Sequence, residues 1–321
     1  MRNLADLGAI IENEIEKLSY PQSPELLYSP IEYIMGLQGK RMRPILVLMA
    51  HQLFDENLDK AISPALAIEV FHNFTLLHDD IMDKAPLRRG NATVHEKWND
   101  NVAILSGDTM MIQAYQLLSK VDDEKLRKVL DVFSKAATEV CEGQQWDMDF
   151  ETQNNVEISE YMKMIEYKTA VLLAASLQLG GITGGASIQE QENLYEFGRN
   201  IGIAFQLKDD LLDAFGNPDT FGKQVGGDIM SNKKTYLYLK ALEAASDKQK
   251  NELEKYFSIS DASTEKVNAV KKIFIDLKIQ SFIIDLMKEY QMRAMMHLDA
   301  IGSSNKEPLI AFSEKLMDRI S

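Results

Sequence analysis

The sequence predicts an all-α protein, and three observations carry that expectation. The eight prolines stand at 21, 24, 30, 44, 64, 86, 218 and 308, so positions 87 to 217 contain none. Proline removes a backbone donor and clashes with the preceding turn, so a gap of that length reads as long, uninterrupted helices. Inside the gap apolar residues recur at three- to four-residue spacing: Ala103-Ile104-Leu105, Met110-Met111-Ile112 and Tyr115 to Leu118, then Val129-Leu130, Val132-Phe133, Ala136-Ala137 and Val140-Cys141. Strand signals are weak throughout.

The N-terminal stretch MRNLADLGAIIENEIEKL sets acids among apolar residues at helical spacing, unlike the basic start and apolar block of a signal peptide. Pro44 to Ala50, PILVLMA, has the length of a buried strand, but Leu, Met and Ala favour a helix with proline near its first position. Gly216 to Asp228, with four glycines and a proline, breaks the helical pattern and reads as a connector or as a lid. Nothing resembles a linker or a repeat, so residues 1–321 are expected to form one domain. The single cysteine, Cys141, excludes an intrachain disulfide and reads as a small core residue in a reducing compartment, the cytoplasm.

A formal net charge of −14 argues against nucleic acid or an anionic membrane as partner, and no stretch has the roughly 18 uncharged apolar residues of a membrane span. Global charge does not decide local chemistry, because metals and a few fixed cations reverse the field at one site.

The sharpest feature is an acidic motif that occurs twice. LLHDDIMD carries Asp79, Asp80 and Asp83, and 130 residues later QLKDDLLD carries Asp209, Asp210 and Asp213. On a helix this spacing brings the first and third carboxylates onto one face about one turn apart, where they repel unless a cation lies between them. A hard oxygen-seeking ion such as Mg²⁺, completed by substrate phosphates, suits such a pair. A metal-bridged diphosphate is also a good leaving group, so the pattern points to ionisation chemistry.

Cations stand nearby in the sequence. Lys40, Arg41 and Arg43 precede Pro44 at an expected helix start, and Arg88 and Arg89 follow the first acidic motif; each is a phosphate clamp or a solvated charge. His72 lies seven residues before Asp79, about 10 Å along nearly the same helix face, as a ligand-facing group or a hydrogen-bonded core histidine. Glu69 and His72 also form the Glu-x-x-His pair of di-iron bundles, but no other histidine has Glu three residues before it.

Taken in order, GKRMRP at 39–44, LLHDDIMD followed by LRRG at 87–90, Gly143-Gln144 with Asp147, Tyr167-Lys168-Thr169, FQLKDDLLD at 205–213 and GKQVGGDIMSNKKT at 222–235 resemble the motif set of the trans-isoprenyl diphosphate synthases, the polyprenyl synthetase family. The resemblance covers essentially the whole chain. It implies antiparallel helices around a deep cavity, a homodimer, and condensation of isopentenyl diphosphate with an allylic diphosphate. It implies that Asp79, Asp83 and Asp209 ligate three Mg²⁺ ions on the allylic diphosphate, with Asp80 and Asp213 assisting through water or hydrogen bonds. Arg88, Lys168, Lys223 and Lys233 would hold the allylic diphosphate, and Lys40, Arg43, His72 and Arg89 the isopentenyl diphosphate. Thr169 and Gln206 would direct oxygen dipoles at the allylic cation. One departure is Gln38, where the family has glycine before Gly39, so a different turn is expected there.

The same resemblance places a floor for the growing chain at Phe74, with Phe71 one turn further back and the small Thr75 beside it. It ranks the product as geranylgeranyl diphosphate first, farnesyl second and a longer chain third. Readings from other classes are a terpene cyclase, a catalytically silent subunit of a two-subunit synthase, and a metal-storage bundle. A silent subunit is expected to lose motif aspartates, and all six are present.

Overall fold

The computed structural model describes residues 2–153, 155–216, 225–259 and 263–317, and these are almost entirely helical. The chain groups into two compact units.

The first unit comprises residues 1–134, 175–194 and 302–308. Its helices are α1 (Leu4–Glu16), α2 (Glu25–Gly36), α3 (Met42–His51), α4 (Asp59–Met82), α5 (Val94–Lys97) and α6 (Asp100–Leu118), followed by the start of α7 (Asp123–Thr152). Asn3 opens α1 with a capping box shared with Asp6, satisfying backbone donors that a helix start leaves open. PILVLMA is helical, within α3. The central element is α4, which packs against α1, α2, α3, α5 and α6 and buries Ala61, Leu66, Ile68, Val70, Phe71 and Leu77 around its circumference. Gly180 and Gly184 of α9 (Val171–Gly184) lie against the α3 backbone: a Cβ at 180 would stand 2.2 Å from the Val47 carbonyl oxygen.

A turn after α4 decides where the first acidic motif ends. Lys84 adopts φ +50°, and the amides of Lys84 and Ala85 donate to the carbonyls of Ile81 and Asp80 at 3.2 and 2.9 Å. This is the reversed double bond that closes helices, here with lysine where glycine is usual. Pro86 follows, and the chain enters a hairpin of β1 (Leu87–Arg88) and β2 (Asn91–Ala92), with Leu87 paired to Ala92 and Arg88 to Asn91.

The second unit comprises residues 135–174, 195–301 and 309–321. It holds the rest of α7, then α8 (Ile158–Ile165), a π-helical turn at Glu166–Ala170, most of α10 (Ile188–Phe215), α11 (Gly227–Met230), α12 (Tyr236–Ala244), α13 (Asp247–Phe257), α14 (Thr264–Asp276), α15 (Ile279–Asp299) and most of α16 (Glu307–Met317). Leu207 and Leu211 of α10, Leu237 and Leu239 of α12, Val270 and Phe274 of α14 and Ile283 and Met287 of α15 form its core.

One sequence expectation is overturned: Cys141 is exposed on α7, not a core residue. The 3.6-residue period places Val140 inward, and its neighbour, about 100° further round, turns outward.

Candidate active site

The first acidic motif is the C-terminal end of α4. The Asp83 amide donates to the Asp79 carbonyl at 2.8 Å, so the helix persists through the motif and carries both side chains on one face. Asp79 is half-buried and Asp83, the C-cap, is exposed. Asp80 points the other way, is buried, and pairs with Arg88, whose Nη2 lies 2.7 Å and whose Nε lies 2.9 and 2.8 Å from its oxygens. The hairpin exists in the right place to deliver that guanidinium.

The basic run before α3 divides into different roles. Arg41 is buried in left-handed backbone (φ 44°) and donates to Glu69 at 2.7 Å, Glu12 at 3.1 Å and the carbonyls of Met35 and Leu37. It is therefore a structural tie between this segment and α4, which corrects its reading as a phosphate clamp. The same pair overturns the di-iron reading of Glu69 and His72, because the Glu69 carboxylate is taken by Arg41 and by Asn73 at 3.0 Å.

Arg43 Nη1 donates to His72 Nε2 at 3.0 Å, so the imidazole accepts there as a neutral ring. Burial and then the guanidinium of Arg43 hold its pKa well below the usual histidine range. Burial, with Arg89 nearby, pushes the Arg43 pKa down to about 10, and its Nε is buried with no partner among the described residues. Arg89 (φ 52°) lies over Gly39 and donates to the Leu37 carbonyl at 3.3 Å. A Cβ at Gly39 would stand 2.6 Å from the Arg89 guanidinium, so a side chain there would displace that guanidinium from its present position. Gln38 and Lys40 are respectively exposed and exposed at the surface of that segment.

Upstream on α4, Phe71 is fully buried, and Phe74 is half-buried between it (ring centroids 5.5 Å apart) and His78 (4.8 Å). Phe71 packs edge-on against Phe133, which meets Tyr115 in the same way, each pair at 5.1 Å. Thr75 donates to the His72 carbonyl at 2.8 Å.

In the second unit Asp209 is half-buried near the end of α10, and Asp213 accepts from the Asp228 amide at 3.0 Å. Asp210 is buried, accepting from the Tyr161 hydroxyl and from Gln206 Nε2 at 3.3 Å. Burial and the nearby Asp228 carboxylate push its pKa up to about 8. Tyr167, Lys168 and Thr169 occupy the π-helical turn, which is flanked by two glycines. A Cβ at Gly143 would stand 2.3 Å from the Lys168 nitrogen, and one at Gly202 would stand 2.6 Å from the Ala170 Cα. Lys168 and Lys233 both pair with Asp147, the latter at 3.7 Å. Although burial opposes it, Lys233 and then Lys168 hold the Asp147 carboxyl below its ordinary pKa. Thr169 Oγ1 donates to Gln206 Oε1 at 3.2 Å.

The structure thus joins Arg43 with His72, Asp80 with Arg88, Thr169 with Gln206, and Lys168 with Lys233 through Asp147. Lys223, and residues 217–224 of the expected lid, lie outside the described residues. The reading of the sequence assigned no role to Asp147 or Tyr161; an acid inside the Gly143-Gln144 motif was the available signal for the first. The donors of both acidic motifs are hard carboxylate oxygens, which suits Mg²⁺. Both motifs also sit at helix C-termini, where the helix dipole disfavours negative charge and a cation is stabilised. Among the described residues no three acidic, histidine or cysteine side chains converge to hold a metal by themselves, so the ligand shell would need substrate oxygens.

Comparison with known proteins agrees with this chemistry. A geranylgeranyl diphosphate synthase of Methanosarcina mazei is 38% identical over 302 residues, covering 94% of this chain and 91% of the relative. A crystal structure of a geranylgeranyl pyrophosphate synthase superposes with a TM-score of 0.95 at 45% identity over the whole of both chains. The corresponding enzyme of Pyrococcus horikoshii Ot3 gives 0.88 at 34%, over 97% of this chain and 94% of that one. The fold is the all-α isoprenoid synthase fold, and the protein is a trans-prenyltransferase. Its residues 24–275 match the polyprenyl synthetase model, and the chain belongs to that family.

Proposed function

We propose that the protein condenses isopentenyl diphosphate with an allylic diphosphate and releases geranylgeranyl diphosphate. The observation that carries the substrate class is the cationic cluster of the first unit. Arg43 keeps a buried Nε donor without a partner among the described residues, beside a histidine held neutral, and such a donor is satisfied by an external anion. Lys40, Arg43, His72 and Arg89 hold isopentenyl diphosphate there. Arg88, Lys168, Lys223 and Lys233 hold the allylic diphosphate, the two described lysines exchanging Asp147 for phosphate oxygens.

Asp79, Asp83 and Asp209 are the carboxylates for Mg²⁺, three ions per site, with Asp80 and Asp213 in support. Mg²⁺ would neutralise the charge that builds on the leaving diphosphate. Thr169 and Gln206 face the allylic cation with oxygen. The isopentenyl alkene attacks that cation, and the departed diphosphate takes the proton. Phe71, Phe74 and Thr75 limit chain length.

The unbroken family match across 24–275 supports one functional domain. Exposed Leu105 and Ile112 on α6 support a homodimer whose second copy covers them. No described helix is long and apolar enough to cross a membrane; a cytoplasmic setting, supported by the charge of −14 and the lone cysteine, belongs to the same proposal.

The test is purified protein with Mg²⁺, isopentenyl diphosphate and, separately, dimethylallyl, geranyl or farnesyl diphosphate, with chromatography of the dephosphorylated products. A twenty-carbon alcohol is expected; a different dominant length overturns the product, and no elongation of any primer overturns the reaction.

A further inference from the structure

We propose that Tyr161 and Asp210 are positioning residues that set which end of the Gln206 amide faces Thr169, and thereby turn the oxygen lone pairs of both residues toward the allylic cation. The inference rests on the role proposed above for Thr169 and Gln206, and adds the device that orients them.

A glutamine amide has a donor end and an acceptor end of nearly the same shape, so packing alone does not choose between them. Hydrogen bonds do. Gln206 Nε2 lies 3.3 Å from Asp210 Oδ1, which accepts whether or not the carboxyl carries a proton on its other oxygen. With the nitrogen directed there, Gln206 Oε1 is the end that faces Thr169, and it receives the Thr169 hydroxyl proton at 3.2 Å. Thr169 has one hydroxyl proton, and it is committed to Gln206. Both residues therefore turn their protons away and offer lone pairs, the polarity that a carbocation requires and that the reversed amide would spoil.

Asp210 can perform this only if its carboxyl does not rotate. It borders a small cavity that Asp213, Asp228 and Lys233 also line, so other charged groups share the space beside it. The buried Tyr161 hydroxyl, on α8, bonds Asp210 Oδ2 and holds the carboxyl toward Gln206. Tyr161 comes seven residues before Lys168, one element upstream of the π-helical turn that presents Thr169. The sequence shows it as one apolar-face residue among many; the contact to α10 is what gives it a role.

A double-mutant cycle tests the coupling. Tyr161→Phe keeps the ring and its packing and should lower kcat roughly tenfold while leaving KM for both diphosphates within about twofold, since no phosphate contact is touched. Gln206→Leu should lower kcat by roughly 10²-fold. In the Gln206→Leu background Tyr161→Phe should cost nothing further, because there is no amide left to orient; a multiplicative loss overturns the positioning role while leaving the role of Gln206 standing. An unchanged kcat in Gln206→Leu alone overturns both. Gln206→Glu gives a second measurement should Tyr161→Phe fail to fold. It keeps an oxygen toward Thr169 but offers Asp210 no N–H, so kcat should fall at least tenfold, and wild-type turnover in that variant overturns the proposal.

Discussion

The two acidic motifs share their spacing, and their surroundings make them different objects. In α4 the middle carboxylate, Asp80, meets a guanidinium at 2.7 Å; in α10 its counterpart, Asp210, meets a phenol and an amide, and its pKa rises to about 8. The first is a charged pair that anchors a hairpin. The second is a polar relay that reaches a neighbouring π-helical turn. The residues upstream diverge in the same manner. At the same distance before each motif, His72 corresponds to Gly202 and Phe74 to Ala204. The first helix projects bulky groups, a cationic partner and an aromatic stack, whereas the second is pared down so that the turn carrying Lys168 and Thr169 can press against its backbone. A duplicated motif thus supplies the same ligand type twice and leaves the division of labour to its neighbours.

The largest expected effect would show what the motifs share. Asp79→Ala and Asp209→Ala should each lower kcat by roughly 10³-fold, the equivalent of about 4 kcal/mol, with the helical circular dichroism unchanged. A loss confined to one of them would mean that only one motif serves the reaction.

Gly202→Ala probes the pared-down helix. Its Cβ would stand 2.6 Å from the Ala170 Cα, so the π-helical turn must shift, lowering kcat and costing about 1–3 kcal/mol in urea denaturation. His72→Ala, at the matching position of the first helix, should instead raise KM for isopentenyl diphosphate with a smaller effect on stability.

Next come the middle carboxylates. Asp80→Asn leaves Arg88 facing a neutral amide and should cost about 2 kcal/mol near neutral pH. Asp210→Asn should cost less there and should change the pH dependence. A carboxyl with a raised folded-state pKa contributes stability that is complete below its unfolded value near 3.8 and is lost as pH rises through about 8. Wild type should therefore lose stability relative to Asp210→Asn between those limits, and parallel curves would show that the carboxyl is not held as described.

Phe74→Ala should lengthen the product by at least one isoprene unit, read by chromatography, and Phe205→Ala on the second helix should not. The smallest effect is outside the chemistry: Lys84→Gly relieves left-handed backbone at the end of α4 and should stabilise by about 0.5–1 kcal/mol, seen as a raised Tm.

Much of this was legible in the residues. The proline gap and the apolar period announced α6, α7 and α10, and the helix propensity of Leu, Met and Ala identified α3. The ordered motifs announced the family, and Arg43, His72, Thr169 and Gln206 came forward by resemblance before their contacts were known. Other features could not be read in this way. Cys141 lies at the boundary of an amphipathic face, where one step of 100° decides inside from outside. Arg41 looked like its neighbours Lys40 and Arg43 until Glu69 and two carbonyls claimed it. Gly143 and Gly202 carry no chemistry of their own, and their meaning appears only when another backbone runs within 3 Å of where a Cβ would stand.

By itself the sequence determined the element type, the family and the chemical character of the site, because helix propensity, apolar periodicity and the charge of a side chain are properties of short stretches of chain. The tertiary structure decided which charges are consumed and which are left to act. Arg41 is taken up by Glu12 and Glu69 and Asp80 by Arg88 across the turn that closes α4, Arg43 keeps a buried Nε donor with no partner among the described residues, and Asp210 turns from a sixth acidic residue into the anchor of an amide. Hydrogen bonds and ion pairs depend on side-chain atoms meeting at about 3 Å in the right orientation, and only the folded chain sets that.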